Sequence, residues 1–382
     1  MNWKARRLDQ LGSVSRGRSR HRPRDAAHLY GGPYPFIQTG DVKHAPLYVT
    51  EHSQTYSEAG LAQSRLWPAG TLCITIAANI ADTAILTYEA CFPDSVIGFI
   101  ADPEKANAKF IKYYFDARMK GSYRQFSQGA AQDNLSQEKL LSLDLVVPVD
   151  VREQERIADV LSAYDDLIEN NRRRISLLEQ SARLLYREWF VHLRFPGHEH
   201  VKVVDGVPDG WCVRPLGNCF LVRKGRNITR AEVAAGEVPV VAGGLEPSCH
   251  HNVANAKGPV VTISASGANA GFVRLYASDI WASDCSYISG DTTAHIYYVY
   301  CLLKQQQSRL TAMQKGAAQP HVYPKDVQGL EVPMAPDGLI AEFEQLVSPT
   351  FELMAKLEAQ SALLAKGRDL VLPRLMNGDL MV

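Results

Sequence analysis

The side chains that could do covalent chemistry are scattered along this sequence where catalysis would need them gathered. There is no G-x-x-x-x-G-K-[ST] phosphate loop, no H-E-x-x-H and no G-x-S-x-G elbow. An adenine methyltransferase is expected to carry a [DN]-P-P-[YF] loop, and a metal-dependent nuclease a carboxylate pair followed by Glu/Asp-x-Lys; neither motif is present. Asp82, Glu89 and His321 share no spacing that makes a triad. Cys249-His250-His251 is too compressed for a tetrahedral metal cage. Gly267-Ala268-Asn269-Ala270-Gly271 is glycine-rich but lacks the lysine of a phosphate cradle and reads as a tight turn. The chain is expected to be non-catalytic, with no catalytic residue, no metal and no cofactor of its own.

The polar residues suit binding instead. Arg16, Arg18, Arg20, Arg22 and Arg24 alternate with other residues near the start. In an extended segment they share one face and can track a phosphate backbone; the bland alternative is a solvated loop. Lys224 and Arg226 flank Gly225 at an equivalent place further on, which favours binding. Gln38, Thr39, Asn79, Gln132 and Asn134 sit in loops, and their amides are of the type that pairs bidentately with adenine. Ser264, Ser266, Asn269, Gln319 and His321 are the later candidates. For any one of them, a turn or capping role competes with base contact. Tyr297, Tyr298 and Tyr300 lie at helical spacing beside Leu302 and are expected in a core rather than on a stacking platform.

These residues ride on two copies of one design. Trp3, Leu8 and Gly17 reappear as Trp211, Leu216 and Gly225, each pair 208 positions apart. Pro35-Phe36-Ile37 has its counterpart in Pro239-Val240-Val241, and Gly70–Ile76 in Gly258–Ile263. Gly129-Ala130-Ala131-Gln132 recurs as Gly316-Ala317-Ala318-Gln319, and Pro148 as Pro333. The offset shrinks along the repeat, as it does when loops vary over a constant framework. In the first copy, strands are expected at 35–37, 72–76, 95–100 and 143–148, and helices over Ala106–Met119 and from Gln137, capped by the polar loop before it.

Between and after the copies run two long helical patterns. From Gln154 to Phe190, Ile157, Leu161, Tyr164, Ile168, Asn171, Ile175, Leu178, Ala182, Leu185 and Trp189 recur in alternating steps of four and three, the seam of a coiled coil. At ~1.5 Å per residue the helix is roughly 50 Å long and needs a partner. Arg152, Glu153, Glu155, Arg156, Asp165, Asp166, Glu169 and Arg172–Arg174 fall between the seam positions and suit water. The partner pattern runs from Phe343 through Leu346, Thr350, Leu353, Leu357, Gln360, Leu364 and Val371, with Gly367 a weak member and Pro349 expected to bend or delay the helix. Asn171 and Gln360 place one polar group in each seam. The boundaries that follow are 1–150 and 205–336 for two recognition domains, with helical spacers over 151–204 and 337–382. The fold class is α+β: two similar mixed domains joined by two antiparallel helices.

Composition sets the bounds. The 382 residues suffice for two cores, and a formal net charge of zero gives no global electrostatic case for nucleic acid, so any polyanion must meet local patches. The seven cysteines are scattered and include no C-x-x-C pair, which predicts reduced thiols in a cytoplasm. No apolar leader and no membrane-length apolar run is present.

In this order and duplicated, these features resemble the specificity subunit of type I restriction-modification systems over essentially the whole chain. The residues that carry the likeness are the Trp-x4-Leu starts at Trp3 and Trp211 and the loop-strand-proline closures at Gly129–Pro148 and Gly316–Pro333. To these are added Arg152-Glu153-Gln154-Glu155-Arg156-Ile157, Tyr186-Arg187-Glu188-Trp189-Phe190 and the run Arg368–Gly378. The resemblance implies two target-recognition domains on double-stranded DNA and an asymmetric, bipartite target. It also implies two methyltransferase subunits that carry S-adenosylmethionine and methylate adenine, and restriction subunits that use ATP and Mg. The second copy departs from the pattern where Gly338-Leu339-Ile340-Ala341-Glu342 replaces the Glu-Gln helix opening. Two other classes remain: a coiled-coil scaffold whose domains bind protein or glycan, and a nuclease or methyltransferase lacking recognisable motifs.

Overall fold

A computed structural model of the chain describes residues 2–77, 80–119, 136–316 and 319–382. It divides into two compact units, Met1–Asn170 with Gln360–Val382, and Asn171–Ala359. The first unit is built on a five-stranded sheet in the order Gly12–Arg16, Val96–Ala101, Leu72–Thr75, Thr83–Leu86, Tyr48–Val49. All its pairings are antiparallel except the last. Leu72–Thr75 is buried at every position, and its alternate residues serve two different cores. Leu72 and Ile74 pack with Phe110 and Ile111 of the helix Ala108–Tyr114. Cys73 faces the other way, with Trp67, Ala84, Leu86 and Phe92. That is the period-two pleat of a strand covered on both faces.

The second unit repeats the plan with four strands, Arg223–Lys224, Cys285–Ser289, Val260–Ser264 and Val273–Tyr276. Val261 and Ile263 join Tyr298, Val299 and Leu302 of the helix Ile296–Gln305, and Val260 joins Tyr287 and Ile280 on the opposite face. In each unit a short ribbon closes the globule: Trp3–Arg6 pairs with Leu145–Pro148, and Cys212–Pro215 with Glu331–Met334. Leu8 and Leu216 open equivalent short helices and are both fully buried. The repeat shows in the strand pairing too, with the offset still shrinking. Cys91 accepts from Ile37 and donates to Pro35, and the parallel pairs Val240–Trp281 and Val241–Ala282 occupy the corresponding place. The expected strands and helices of the first copy are all present, with Ala106–Met119 resolved into a helix at Ala108–Tyr114 and one wider turn at Phe115–Met119. Ser136 caps Gln137–Leu141 by accepting from the Lys139 amide at 3.1 Å.

Both long helices are unbroken, Val151–Phe190 and Asp337–Met376. Asp150 starts the first, its carboxylate accepting from the Arg152 amide at 3.0 Å. All ten seam positions of this helix are buried or half-buried. In the first unit Tyr164 lies against Gly367, Asp165 meets Arg368, and Ile157 and Leu161 share a core with Leu375 and Met376. In the second, Tyr186 and Trp189 meet Phe343 at 5.9 and 5.8 Å between ring centroids. Within each unit one helix climbs in number as its neighbour falls, so the pair is antiparallel.

Three expectations need correction. The second seam runs through Ile340, Phe343, Val347, Phe351, Met354 and Leu357, all buried, while Leu346, Leu353 and Gln360 lie on the exposed side. Adjacent apolar pairs (Leu346-Val347, Leu353-Met354) leave the face ambiguous. The choice is made by the rings of Tyr297 and Tyr300, which pack on Phe351 at 4.5 and 5.7 Å and turn that side inward. Pro349 does not delay the helix, which begins at Asp337; the ring is on the exposed face. Asp165 and Glu153 are buried rather than solvated. Tyr298 and Tyr300 are core residues, as expected. No helix among the described residues is long and apolar enough to cross a membrane.

Candidate nucleic-acid interface

One local construction occurs in both units. Near the end of the first sheet's edge strand, the Gly17 amide donates to the Val96 carbonyl at 2.9 Å and the Arg18 amide to the Phe92 carbonyl at 3.0 Å. In the second unit the Gly225 amide donates to Cys285 at 2.8 Å and the Arg226 amide to Ala282 at 2.9 Å. A Cβ on Gly17 would stand 2.3 Å from the Phe92 and Pro93 carbonyl oxygens, and one on Gly225 2.1 Å from the Ser283 oxygen. Only glycine lets the backbone pass so close, and each glycine is flanked by exposed cations: Arg16 and Arg18, Lys224 and Arg226.

In the first unit the cations continue as an arm. Arg16, Arg18, Arg20, Arg22 and Arg24 are all exposed; Gly17 and Ser19 are buried and His21 is half-buried, the alternation expected of an extended segment, but it ends there, since Pro23 is exposed and residues 22–25 bend and turn. Arg16 donates through Nε to the Asp94 carbonyl at 3.0 Å, and Arg24 meets both Asp94 carboxylate oxygens at 3.0 and 2.9 Å. Arg22 folds back onto the Ser19 and His21 carbonyls at 2.7 and 2.8 Å. The arm adjoins the second candidate group through one segment, since Cys91 bonds Ile37 and Phe92 bonds Arg18. Gln38 follows Ile37 and stands at the start of the helix Thr39–His44. Its amide donates to Asp41 at 2.7 Å and its Nε2 to Gln54 at 2.6 Å, so the residue has a capping role. Asn79, Gln132 and Asn134 lie outside the described residues.

The second unit gathers most of its candidates. Ser266 pairs with His321, the Gly267 amide donates to Pro320 at 3.0 Å, and the Val322 amide to Ala265 at 2.9 Å. Gly267 and Gly271 take φ of +79° and +85°, which makes 267–271 the tight turn expected, and Asn269 sits half-buried within it. His321 takes an Nδ1 contact with the exposed Gln319's carbonyl at 2.9 Å and lies parallel to the Tyr323 ring at 5.9 Å. Ser264 is the exception: it is buried, and its hydroxyl donates to the Gly243 carbonyl at 3.1 Å, so it supports the turn from below and cannot reach a groove. No motif or spacing points to Asp284, whose carboxylate accepts from the Ser266 hydroxyl and whose carbonyl accepts from the Ala265 amide at 3.1 Å. Nor did it single out Trp281, which donates to the Arg226 carbonyl at 2.8 Å with the guanidinium 5.9 Å from its ring. Both act across the fold, where spacing carries no signal. Among the described residues no group of metal-ligating side chains gathers.

Residues 1–180 match the family model described as the type I restriction modification DNA specificity domain. The type I restriction enzyme MjaIX specificity subunit of Methanocaldococcus jannaschii is 25% identical over 415 aligned residues, which span 100% of this chain and 94% of that one. Over its whole length the chain is similar to a type I restriction-modification specificity subunit. A putative type I specificity subunit from Mycoplasma pneumoniae is 23% identical over 262 residues, covering 64% of this chain and 65% of its own length. The fold is that of the S subunit from M. genitalium, with a TM-score of 0.62 at 18% identity over 98% of this chain and 96% of that one.

Proposed function

We propose that this specificity subunit reads an asymmetric, bipartite duplex DNA target for its complex and does no chemistry itself. The observation that carries this is the glycine-pinned cationic turn, built twice with unlike surroundings. A repeated backbone device supplies phosphate contacts at two places, and the differing residues around it supply two different readings. In the first unit those are the arginine arm and the Gln38-Thr39 loop; in the second, Ser266, Asn269, Gln319 and His321. Both connections between the units are unbroken helices of 40 residues, which supports a gap of one length between the half-sites.

Docking of two methyltransferase subunits and of restriction subunits belongs to the same reading. It is supported by leucines left exposed on the long helices: Leu167, Leu363 and Leu370 in the first unit, and Leu177, Leu184 and Leu346 in the second. Apolar rows of this kind suit a partner's helices. The methyltransferase would bring S-adenosylmethionine and methylate an adenine in each half-site, and the restriction subunit would bring ATP and Mg. The discriminating experiment is a duplex titration at several salt concentrations. DNA reading through phosphates predicts a steep loss of affinity with salt, and a salt-insensitive interaction would favour a protein- or glycan-binding scaffold. The chain alone is expected neither to methylate nor to cut.

A further inference from the structure

Among the five arginines of the first unit's arm, two are held out with nothing to hold. Arg16 and Arg24 latch onto Asp94, and Arg22 folds onto the arm's own carbonyls. The side chains of Arg18 and Arg20 are exposed and, among the described residues, make no hydrogen bond or ion pair. What keeps their backbone extended comes from a distant stretch. The short helix Glu58–Ala62, capped by Ser57, delivers Gln63 and Ser64 beside the arm. The Gln63 carboxamide oxygen accepts from both the Arg20 amide at 2.5 Å and the His21 amide at 3.0 Å. The Ser64 hydroxyl donates to the Arg18 carbonyl at 2.8 Å. Three backbone groups of one tetrapeptide are thus satisfied by two neighbouring side chains. The Nε2 of Gln63 is buried and unpartnered among the described residues, so the oxygen is the working half of this amide.

We propose that Gln63 is a positioning residue for duplex binding. Its oxygen fixes residues 18–21 so that the Arg18 and Arg20 guanidiniums stand as a ready pair of phosphate contacts. This rests on the reading that the arm faces DNA. A loop ordered before binding does not have to be ordered during it, so the contribution of Gln63 is a preorganised geometry and not a charge. That separates it from the arginines it serves. Deleting a phosphate contact flattens the dependence of log affinity on log salt by about 0.9 per contact, whereas deleting a positioning residue lowers affinity and leaves the slope nearly unchanged.

The test is a double-mutant cycle on the full chain assembled with its methyltransferase partner, titrated against a duplex at several salt concentrations. R18A/R20A is expected to flatten the salt slope by about 1.8, two contacts' worth. Q63A is expected to weaken binding about fivefold at unchanged slope, within the range of coupled neighbours, and to cost nothing further once Arg18 and Arg20 are alanine. Ser64→Ala should show the same dependence on the two arginines, weaker because it removes one bond. Amide exchange at Arg20 and His21 should speed up in Q63A and stay slow in Q63E, which keeps an acceptor oxygen. Equal losses for Q63A with and without the arginines would show a merely structural role and overturn the proposal, as would no loss in the native background. An unaltered salt slope in R18A/R20A would instead remove the arm from the DNA-binding reading, and this inference with it.

Discussion

At matching places in the two repeats, the first unit seats its long helices with charge and the second with rings. The helices begin 186 positions apart, at Val151 and Asp337, which aligns Asp165 with Phe351. In the first unit the Asp165 carboxylate is buried between the Tyr113 hydroxyl, at 2.6 Å, and the Arg368 guanidinium. In the second, Phe351 stacks on Tyr297 at 4.5 Å with an interplanar angle of 3°, and Tyr300 meets it edge-on. The same contrast recurs at the helix openings. Gln154, fully buried, accepts from the Asn107 amide at 3.0 Å and donates to Lys105 and Pro148, tying the helix to the first unit's globule. Its counterpart by position is Ile340, which can only pack. Glu344 takes over the polar task, accepting from the Tyr297 and Tyr298 amides at 3.1 and 2.8 Å and so capping Ile296–Gln305, whose own N-cap residue His295 makes no cap bond. A frame that must bring a helix against a globule can do so with different chemistry on the two sides, provided every buried polar group finds a partner.

The largest effect expected from breaking this contrast is at the charged seat. Arg368→Ala leaves the Asp165 carboxylate buried beside a single hydroxyl and should cost about 3–5 kcal/mol in urea unfolding of the full chain. The apolar double replacement Asp165→Leu with Arg368→Met, imitating the second unit, should recover most of that loss, since a packed apolar pair avoids the desolvation that the ion pair has to offset. A double variant as unstable as the single one would mean the charge itself is required. Phe351→Ala should cost about 3 kcal/mol through the cavity it leaves, with no dependence on salt.

Smaller effects separate the two caps. Burial holds the Glu344 carboxyl above the usual glutamate range, against the pull of the Tyr298 and Tyr297 amides. A raised carboxyl favours the protonated folded state, so its contribution is full below the ordinary glutamate value and fades as pH rises through the folded one. The stability of the native chain relative to Glu344→Gln should therefore decline between pH 4 and pH 7, read as urea midpoints; a constant difference would contradict the assignment. The first unit's helix caps itself, Asn107 accepting from the Phe110 amide at 3.1 Å. Asn107→Ala should cost about 1 kcal/mol with no such pH dependence.

The pattern of what was legible follows from range. The first helix announced its seam because one apolar stripe faces one partner at a time, and period alone finds such a stripe. The second helix did not, because Tyr297 and Tyr300 claim a neighbouring face and the adjacent apolar pairs Leu346-Val347 and Leu353-Met354 mask which residue turns inward. Gly17 and Gly225 were visible as a repeat, although the reason for them, a carbonyl 2.1–2.3 Å from an imagined Cβ, needs coordinates. Asp94, Asp284 and Gln63 were invisible. Each acts on a residue 18 or more positions away, and a single sequence holds no trace of such a pairing. The candidate recognition residues rest on residue type alone, and Ser264 shows the limit of that: a serine suited to a groove is buried under a turn.

The most direct test is a map of methylated adenines produced by this chain with its methyltransferase partner, compared with the map from Gln319→Ala/His321→Ala. Two short blocks separated by a constant unread gap, with only one block altered by the substitutions, is the predicted result. A continuous motif, or a change in both blocks at once, would contradict the account of two unlike units that read separately.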